Sequence, residues 1–363
     1  MKDSKILLKS NNIKIKDNIK IAGFDFDFTL VKTKSGKKFP VSSDDWAYWS
    51  DQVLPKLKEL KSLGYILVIF SNQNGVGTGR VESEMVISRF QNFIDSTNLD
   101  WICIASTKKD LFRKPQTKMW NYLFQDYDIN KEGSFYVGDA AGRVNNYVKG
   151  RKKDFSCSDR KFAINLDLKF YTPDEFFHNE DKTDKFIIDG FNPLEYILKP
   201  YQKLKFKKQD KELVIMIGCP GSGKSRFAKK YYKSYRLISQ DQLKSKSKCL
   251  KLCQKIMDDG ESIIIDNTNP DKKTRKLYID LALQNKYTIK CYWMQIDKLL
   301  GKHLNYIRFK KNEENGLVPD IAYNVYFKRF EKPSEDESFN EIKIIEPNFK
   351  FNDTDKKLFM EFN

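Results

Sequence analysis

The chain alternates between short continuous apolar runs and longer stretches in which apolar and charged residues recur at helical spacing. Ile19–Phe24, Gly64–Phe70 and Ser134–Asp139 in the first half read as buried parallel strands. So do Leu213–Ile217, Tyr235–Asp241, Ser262–Asp266 and Tyr287–Met294 in the second. Val53–Leu63 and Glu84–Asp95 read as amphipathic helices, Arg226 onward continues as a helix, and Thr172–His178 is a short helix with Pro173 in its first turn. Strands alternating with helices predict an α/β protein whose parallel sheets gather their chemistry at one edge.

With 363 residues the chain has room for two domains. Residues 1–18 are polar and lysine-rich, a short arm or edge strand. The first domain is expected over 19–180, a charge-dense, partly packed linker over 181–211, and the second domain over 212–363. There is no internal repeat or low-complexity run. No apolar stretch is long enough to cross a bilayer, and the N-terminal apolar core is too short for a secretory signal. Six scattered cysteines without a C-x-x-C pair, and only two histidines, speak against a structural zinc site and for reduced thiols in an intracellular protein of the nucleus or cytoplasm. A net charge of +17 favours a polyanionic partner such as nucleic acid, with solvated lysine faces as the competing explanation.

Two constellations carry chemistry. Gly218–Ser225 reads Gly-Cys-Pro-Gly-Ser-Gly-Lys-Ser and fits the phosphate-loop pattern without mismatch, between a strand and a helix. Gly218, Gly221, Ser222 and Gly223 let backbone N–H groups face an anion. Lys224 is expected along the β- and γ-phosphates of ATP, and the Ser225 hydroxyl on Mg²⁺. In the first half, Asp25-Phe-Asp27-Phe-Thr29 sets two carboxylates at a strand end, where ligands of open α/β sheets bind. Such a pair can bind Mg²⁺ and leave one oxygen free as a nucleophile. Ser71, Asn72 and Gln73 end the next strand before the glycine-rich turn Gly75–Gly79. Lys114 precedes Pro115, which is expected to start a helix, and Asp139 ends a third strand.

The order D-x-D-x-T, Ser, Lys, Asp resembles the haloacid-dehalogenase-type phosphatases. The resemblance implies Asp25 as nucleophile and Asp27 as general acid and then base. It implies Ser71 and Lys114 on the phosphoryl oxygens, and Mg²⁺ on Asp25, the Asp27 carbonyl and Asp139. Phe28 stands where many relatives have glycine. The stretches Ala22–Leu30, Ser71–Gly77, Leu111–Pro115, Val137–Arg143 and Gly150–Arg160 narrow this to the bifunctional polynucleotide 3′-phosphatase/5′-kinase family of DNA strand-break repair. That family implies a haloacid-dehalogenase-like doubly wound parallel sheet followed by a P-loop kinase sheet, in the order found here. The forkhead-associated domain of animal members is expected to be missing. Asn72, Arg113, Arg143 and Arg151 are implied as contacts to substrate phosphates, a solvated basic loop being the alternative for Arg151–Lys153. Asp154 and Asp159 either support the metal site, orient these arginines or do neither.

In the second half the family implies Asp241 as the base for an attacking hydroxyl, a role compatible with a helix N-cap at the same residue. Asp266 is a candidate for organising Mg²⁺, and Asn267 and Thr268 for polar contacts near the nucleotide. Arg308, in the stretch His303–Arg308, is expected to stabilise the transferring phosphoryl group, or else to be a surface arginine. His303 either serves the site or packs. The resulting expectation is a monomeric enzyme that turns 3′-phosphate and 5′-hydroxyl ends into ends for a DNA ligase. An RNA end-healing enzyme of tRNA repair, a small-molecule phosphatase fused to a metabolite kinase, and a binding protein with dead sites are the rivals.

Overall fold

The computed structural model describes residues 4–312 and 316–363, so the first three residues of the expected arm lie outside it. It forms two compact units: Met1–Asn192 with Glu361–Asn363, and Pro193–Met360.

The first unit is built on β1 (Lys5–Lys9), β2 (Lys20–Phe24), β3 (Tyr65–Asn72), β4 (Trp101–Ser106), β5 (Phe135–Val137) and β6 (Lys169–Tyr171), in the spatial order β1-β4-β3-β2-β5-β6. All neighbours are parallel except β1, which runs antiparallel to β4. The expected arm is therefore in part an edge strand of this sheet. Both faces of the sheet are covered, which is why its strands read as unbroken apolar runs. On β3, Leu67 and Ile69 enter one core while Val68 and Phe70 enter the other. Phe24, fully buried, meets Trp101, Phe135 and Phe177 on one side. The last residues join this unit because Asn165 grips the backbone of Phe362, accepting from its N–H (2.7 Å) and donating to its carbonyl (2.9 Å).

The second unit contains β7 (Glu212–Ile217), β8 (Arg236–Ile238), β9 (Ile263–Ile265), β10 (Thr288–Met294) and β11 (Glu341–Ile345), in the order β8-β9-β7-β10-β11, all parallel. β7 is central, and it splits its residues as β3 does: Leu213, Ile215 and Ile217 on one face, Val214 and Met216 on the other. In both units the candidate residues follow the C-terminal ends of the central strands. One local expectation fails. Pro115 does not open a helix; the helix there is Lys118–Phe124, behind a loop that positions Lys114.

Candidate active sites

The first site is organised by one buried cation. Phe24 and Phe26 are fully buried, so the alternation along the end of β2 leaves Asp25 and Asp27 at the cleft. The Lys114 ammonium, its side chain 1% exposed, lies 2.8 Å from Asp25 Oδ1 and 2.7 Å from Asp159 Oδ1. It also donates to the Tyr136 hydroxyl (2.7 Å). Burial opposes its charge, but Asp159 and Asp25 outweigh burial and hold its pKa above the usual lysine value. Asp139 is tied to Thr29, whose Oγ1 accepts from its N–H at 3.1 Å. Asp25, Asp139 and Asp159 each bring a carboxylate oxygen within 4.8 Å of the others. Burial, reinforced by this crowding, pushes Asp25 up to about 7 and Asp139 well above the carboxylate range. Three clustered carboxylates, one buried and two partly buried, with one ammonium among them are short of positive charge, and a divalent cation fits that donor set.

Asp27 is held apart from this cluster. Arg89 Nη2 donates to one of its oxygens (2.8 Å) and Gln73 Nε2 to the other (2.8 Å). Gln73 also donates to Ser71 Oγ (2.9 Å), and Ser71 is buried at the end of β3. Arg89 comes from the helix Ser83–Thr97, where it occupies the buried face with Val86, Phe90 and Phe93. A charged residue inside an apolar stripe was the available signal for it, as it was for Lys161 elsewhere in the unit. Asp159 was legible only as one of several choices. Gly138 explains its placement, because a Cβ there would meet Asp159 Oδ2 at 2.4 Å.

Two residues expected to contact substrate are otherwise engaged. Asn72 accepts from the Lys114 N–H (2.9 Å) and donates to the Lys114 carbonyl (3.2 Å), so its side chain fastens the lysine loop. Arg143 is buried, with its Nε on Asp154 (2.9 Å) and Nη1 on Asp174 (2.8 Å). Its guanidinium neutralises two carboxylates that the sequence could not place beside it. Asp154 thus takes one of the open alternatives, orienting Arg143, while Asp159 lies with Asp25 and Asp139 and pairs with Lys114, a partner not among those expected for it. Arg151 also binds Asp174 (2.6 Å) and Glu180 (2.8 Å), but is 36% exposed. Arg113 is half-buried.

The second site surrounds the loop after β7. Gly221 and Gly223 take left-handed φ values of +76° and +89°, which turn the chain into the helix Lys224–Tyr231. Lys224 is buried and donates to the carbonyls of Gly218 (2.8 Å) and Cys219 (2.9 Å). Burial lowers its pKa, against the opposing charges of Asp266 and Asp241. Ser222 is buried and Ser225 exposed at the start of the helix. Asp241 is exposed in the first turn of Gln240–Leu243, whose N-cap is Ser239, so Asp241 does not cap it. Asn267 holds that turn, accepting from the Gln240 N–H (2.7 Å). The Thr268 carbonyl accepts from the Gly218 N–H (3.2 Å).

Arg308 is exposed on the helix Lys298–Lys311 and donates to Asn305 Oδ1 (2.8 Å). The same helix rests on the phosphate loop through two glycines: a Cβ on Gly221 would meet the Gly301 carbonyl at 2.5 Å. His303 packs. Its Nε2 lies 2.8 Å from the Phe359 carbonyl, and burial lowers its pKa to about 4. Arg275 is fully buried and bidentate to Glu337 (2.7 Å for both bonds), a structural anchor.

A parallel-sheet unit with an Asp–Lys–Asp centre, followed by a phosphate-loop unit, defines a phosphatase joined to a P-loop kinase. Comparison with known proteins agrees. Residues 20–177 match the family model "Polynucleotide kinase 3 phosphatase", and residues 213–333 match an "AAA domain" model. The "Bifunctional polynucleotide phosphatase/kinase" of Schizosaccharomyces pombe is 37% identical over 92% of this chain and 81% of its own length. A "Putative bifunctional polynucleotide phosphatase/kinase" of Acanthamoeba polyphaga mimivirus is 34% identical over 98% of this chain and 92% of its own. A "Polynucleotide 3'-phosphatase" of Saccharomyces cerevisiae is 28% identical over 44% of this chain and 88% of its own. The chain belongs to the bifunctional polynucleotide phosphatase/kinase family. No helix among the described residues is long and apolar enough to cross a membrane.

Proposed function

We propose that the chain heals broken DNA ends at two centres, removing a 3′-phosphate at the first and installing a 5′-phosphate from ATP at the second. The observation that carries the first half is the different fate of the two carboxylates. Asp25 sits on the Lys114 ammonium, whereas Asp27 is turned away onto Arg89 and Gln73. An Asp25 oxygen bonds to phosphorus as the bond to the 3′-oxygen breaks, and Asp27 gives that oxygen its proton. Asp27 then takes a proton from the water that attacks the aspartyl phosphate, which frees inorganic phosphate and returns Asp25. Lys114 and Ser71 receive the phosphoryl oxygens. Asp25, Asp139 and the Asp27 carbonyl, with Asp159 beside them, would hold Mg²⁺. When bound, Mg²⁺ offsets the repulsion between a carboxylate and a phosphate dianion.

At the second centre Asp241 accepts the proton of the attacking 5′-hydroxyl. The glycine-rich loop and Lys224 hold the donor phosphates, and Arg308 offsets charge on the transferring group. Ser225 would hold Mg²⁺ there. The products are the 3′-hydroxyl and 5′-phosphate that a DNA ligase joins.

The test is a nicked duplex carrying a 3′-phosphate and a 5′-hydroxyl, assayed for phosphate release and label transfer from ATP, with an RNA of the same sequence in parallel. Both reactions are expected on the DNA. Processing of the RNA alone would replace this reading by RNA end healing. Equal turnover of free nucleoside phosphates would replace it by metabolite chemistry.

A further inference from the structure

Phe28 lies between two residues of the first centre, Asp27 and Thr29, and its backbone is left-handed with φ +61°. Glycine enters that region freely, while a bulky side chain there is an outlier that costs free energy. The turn is fixed on both sides. The Phe28 N–H donates to the Val31 carbonyl (2.7 Å), and the N–H groups of Leu30 and Val31 donate to the Phe26 carbonyl (3.0 and 3.1 Å). Phe26, Leu30 and Val31 are fully buried, which anchors the turn on both sides of position 28.

Phe28 is 40% exposed, so part of the ring reaches solvent. The chain thus carries strain at a partly exposed aromatic residue, one position from a catalytic carboxylate. Strain of this kind persists where its surroundings over-determine it, and it gathers at ligand sites. The carboxylates beside it are occupied, Asp27 by Arg89 and Gln73 and Asp25 by Lys114. A flat uncharged face is the contact that adds affinity without disturbing those pairs. Every nucleobase offers such a face, whereas a phosphate ester alone does not.

We infer that Phe28 is a specificity-determining residue of the phosphatase, stacking on the base of the nucleotide that bears the 3′-phosphate. The inference rests on the 3′-phosphatase reading of this centre and names what that centre selects.

The test uses the full chain with Mg²⁺ and two matched 3′-phosphorylated oligonucleotides, one ending in an ordinary nucleotide and one in a tetrahydrofuran abasic nucleotide. The quantity read is the ratio of their kcat/KM values. The wild type should favour the base-bearing end by on the order of tenfold. Phe28→Gly and Phe28→Leu should bring the ratio towards one, and Phe28→Trp should keep or enlarge it. Phe28→Gly should also raise Tm, because the turn is relieved. A ratio near one in the wild type, or a ratio unchanged in Phe28→Gly, overturns the inference. So does an equal loss on both substrates with a lowered Tm, which would make the ring a prop for the turn. No phosphate release by the wild type from either oligonucleotide would instead overturn the phosphatase reading itself, and this inference with it.

Discussion

The two centres handle charge in opposite ways. In the first, buried cations hold buried or partly buried carboxylates: Lys114 with Asp25 and Asp159, Arg89 with Asp27, Arg143 with Asp154 and Asp174. In the second, Asp241 and Arg308 are exposed, and Lys224 donates to carbonyls of its own loop. The first centre is held in shape by its own ion pairs, each of which has a desolvation cost. The second is held in shape by backbone geometry: Asp241 and Arg308 are exposed, and the buried Lys224 rests on carbonyls of its own loop in place of a carboxylate. Losing one charge should therefore unsettle the fold in the first centre and only the chemistry in the second.

The strongest test of this contrast is a pair of substitutions. Lys114→Met strands three carboxylates, and should abolish phosphate release while destabilising the first unit by on the order of 3–5 kcal/mol. Lys224→Met should abolish kinase activity with little change in Tm. A matched loss of Tm would erase the distinction. Asp25→Ala should remove only the phosphatase and leave labelling of 5′-hydroxyl ends intact.

Next in size is a pair of opposed pH responses, read by thermal melts in chelator. With its pKa raised to about 7, Asp25 binds more protons folded than unfolded between pH 4 and 7. Stability of the first unit should fall as pH rises across that range, by on the order of 3 kcal/mol, and Asp25→Asn should flatten the slope. His303, lowered to about 4, binds more protons unfolded. Stability of the second unit should therefore be lost as pH falls from 6.5 towards 4, by a similar order.

Smaller effects sharpen the picture. Arg89→Met should lower phosphatase kcat roughly 10–100-fold with KM little changed, since the proposed mechanism has Asp27 act on the leaving group. Finally, Arg143→Ala should lower Tm more than Arg308→Ala, while Arg308→Ala should lower kinase kcat more than Arg143→Ala lowers either activity. The reverse order would restore Arg143 as a substrate contact.

Residues that announce themselves by type and spacing were legible early. Asp25, Asp27, Lys114 and Asp139 stand far apart in the chain, yet meet at one sheet edge because each ends or follows a strand that the apolar pattern marks. Leu213–Ile217 reads as a central strand because both of its faces are apolar. What was not legible depends on partners. Asn72 and Arg143 read as substrate contacts in the sequence, and the structure adds partners that the sequence could not show: the Lys114 backbone for Asn72, and Asp154 and Asp174 for Arg143. Arg89 lies on a helix whose pattern is otherwise that of a core face. The strand Lys5–Lys9 was legible only as one of two readings, arm or edge strand, because its lysine-rich pattern is that of an edge, where one side of the ladder meets solvent.

The contact between Gly221 and Gly301 has a mechanical reading. Only hydrogen atoms separate the two backbones, so the segment that bears Arg308 has no slack against the turn that grips phosphate. A methyl group at Gly221 would meet the Gly301 carbonyl at 2.5 Å, and one at Gly301 would meet the Cys219 sulfur at 2.8 Å. Reshaping the cradle at Gly221 should therefore also displace the helix that carries Arg308.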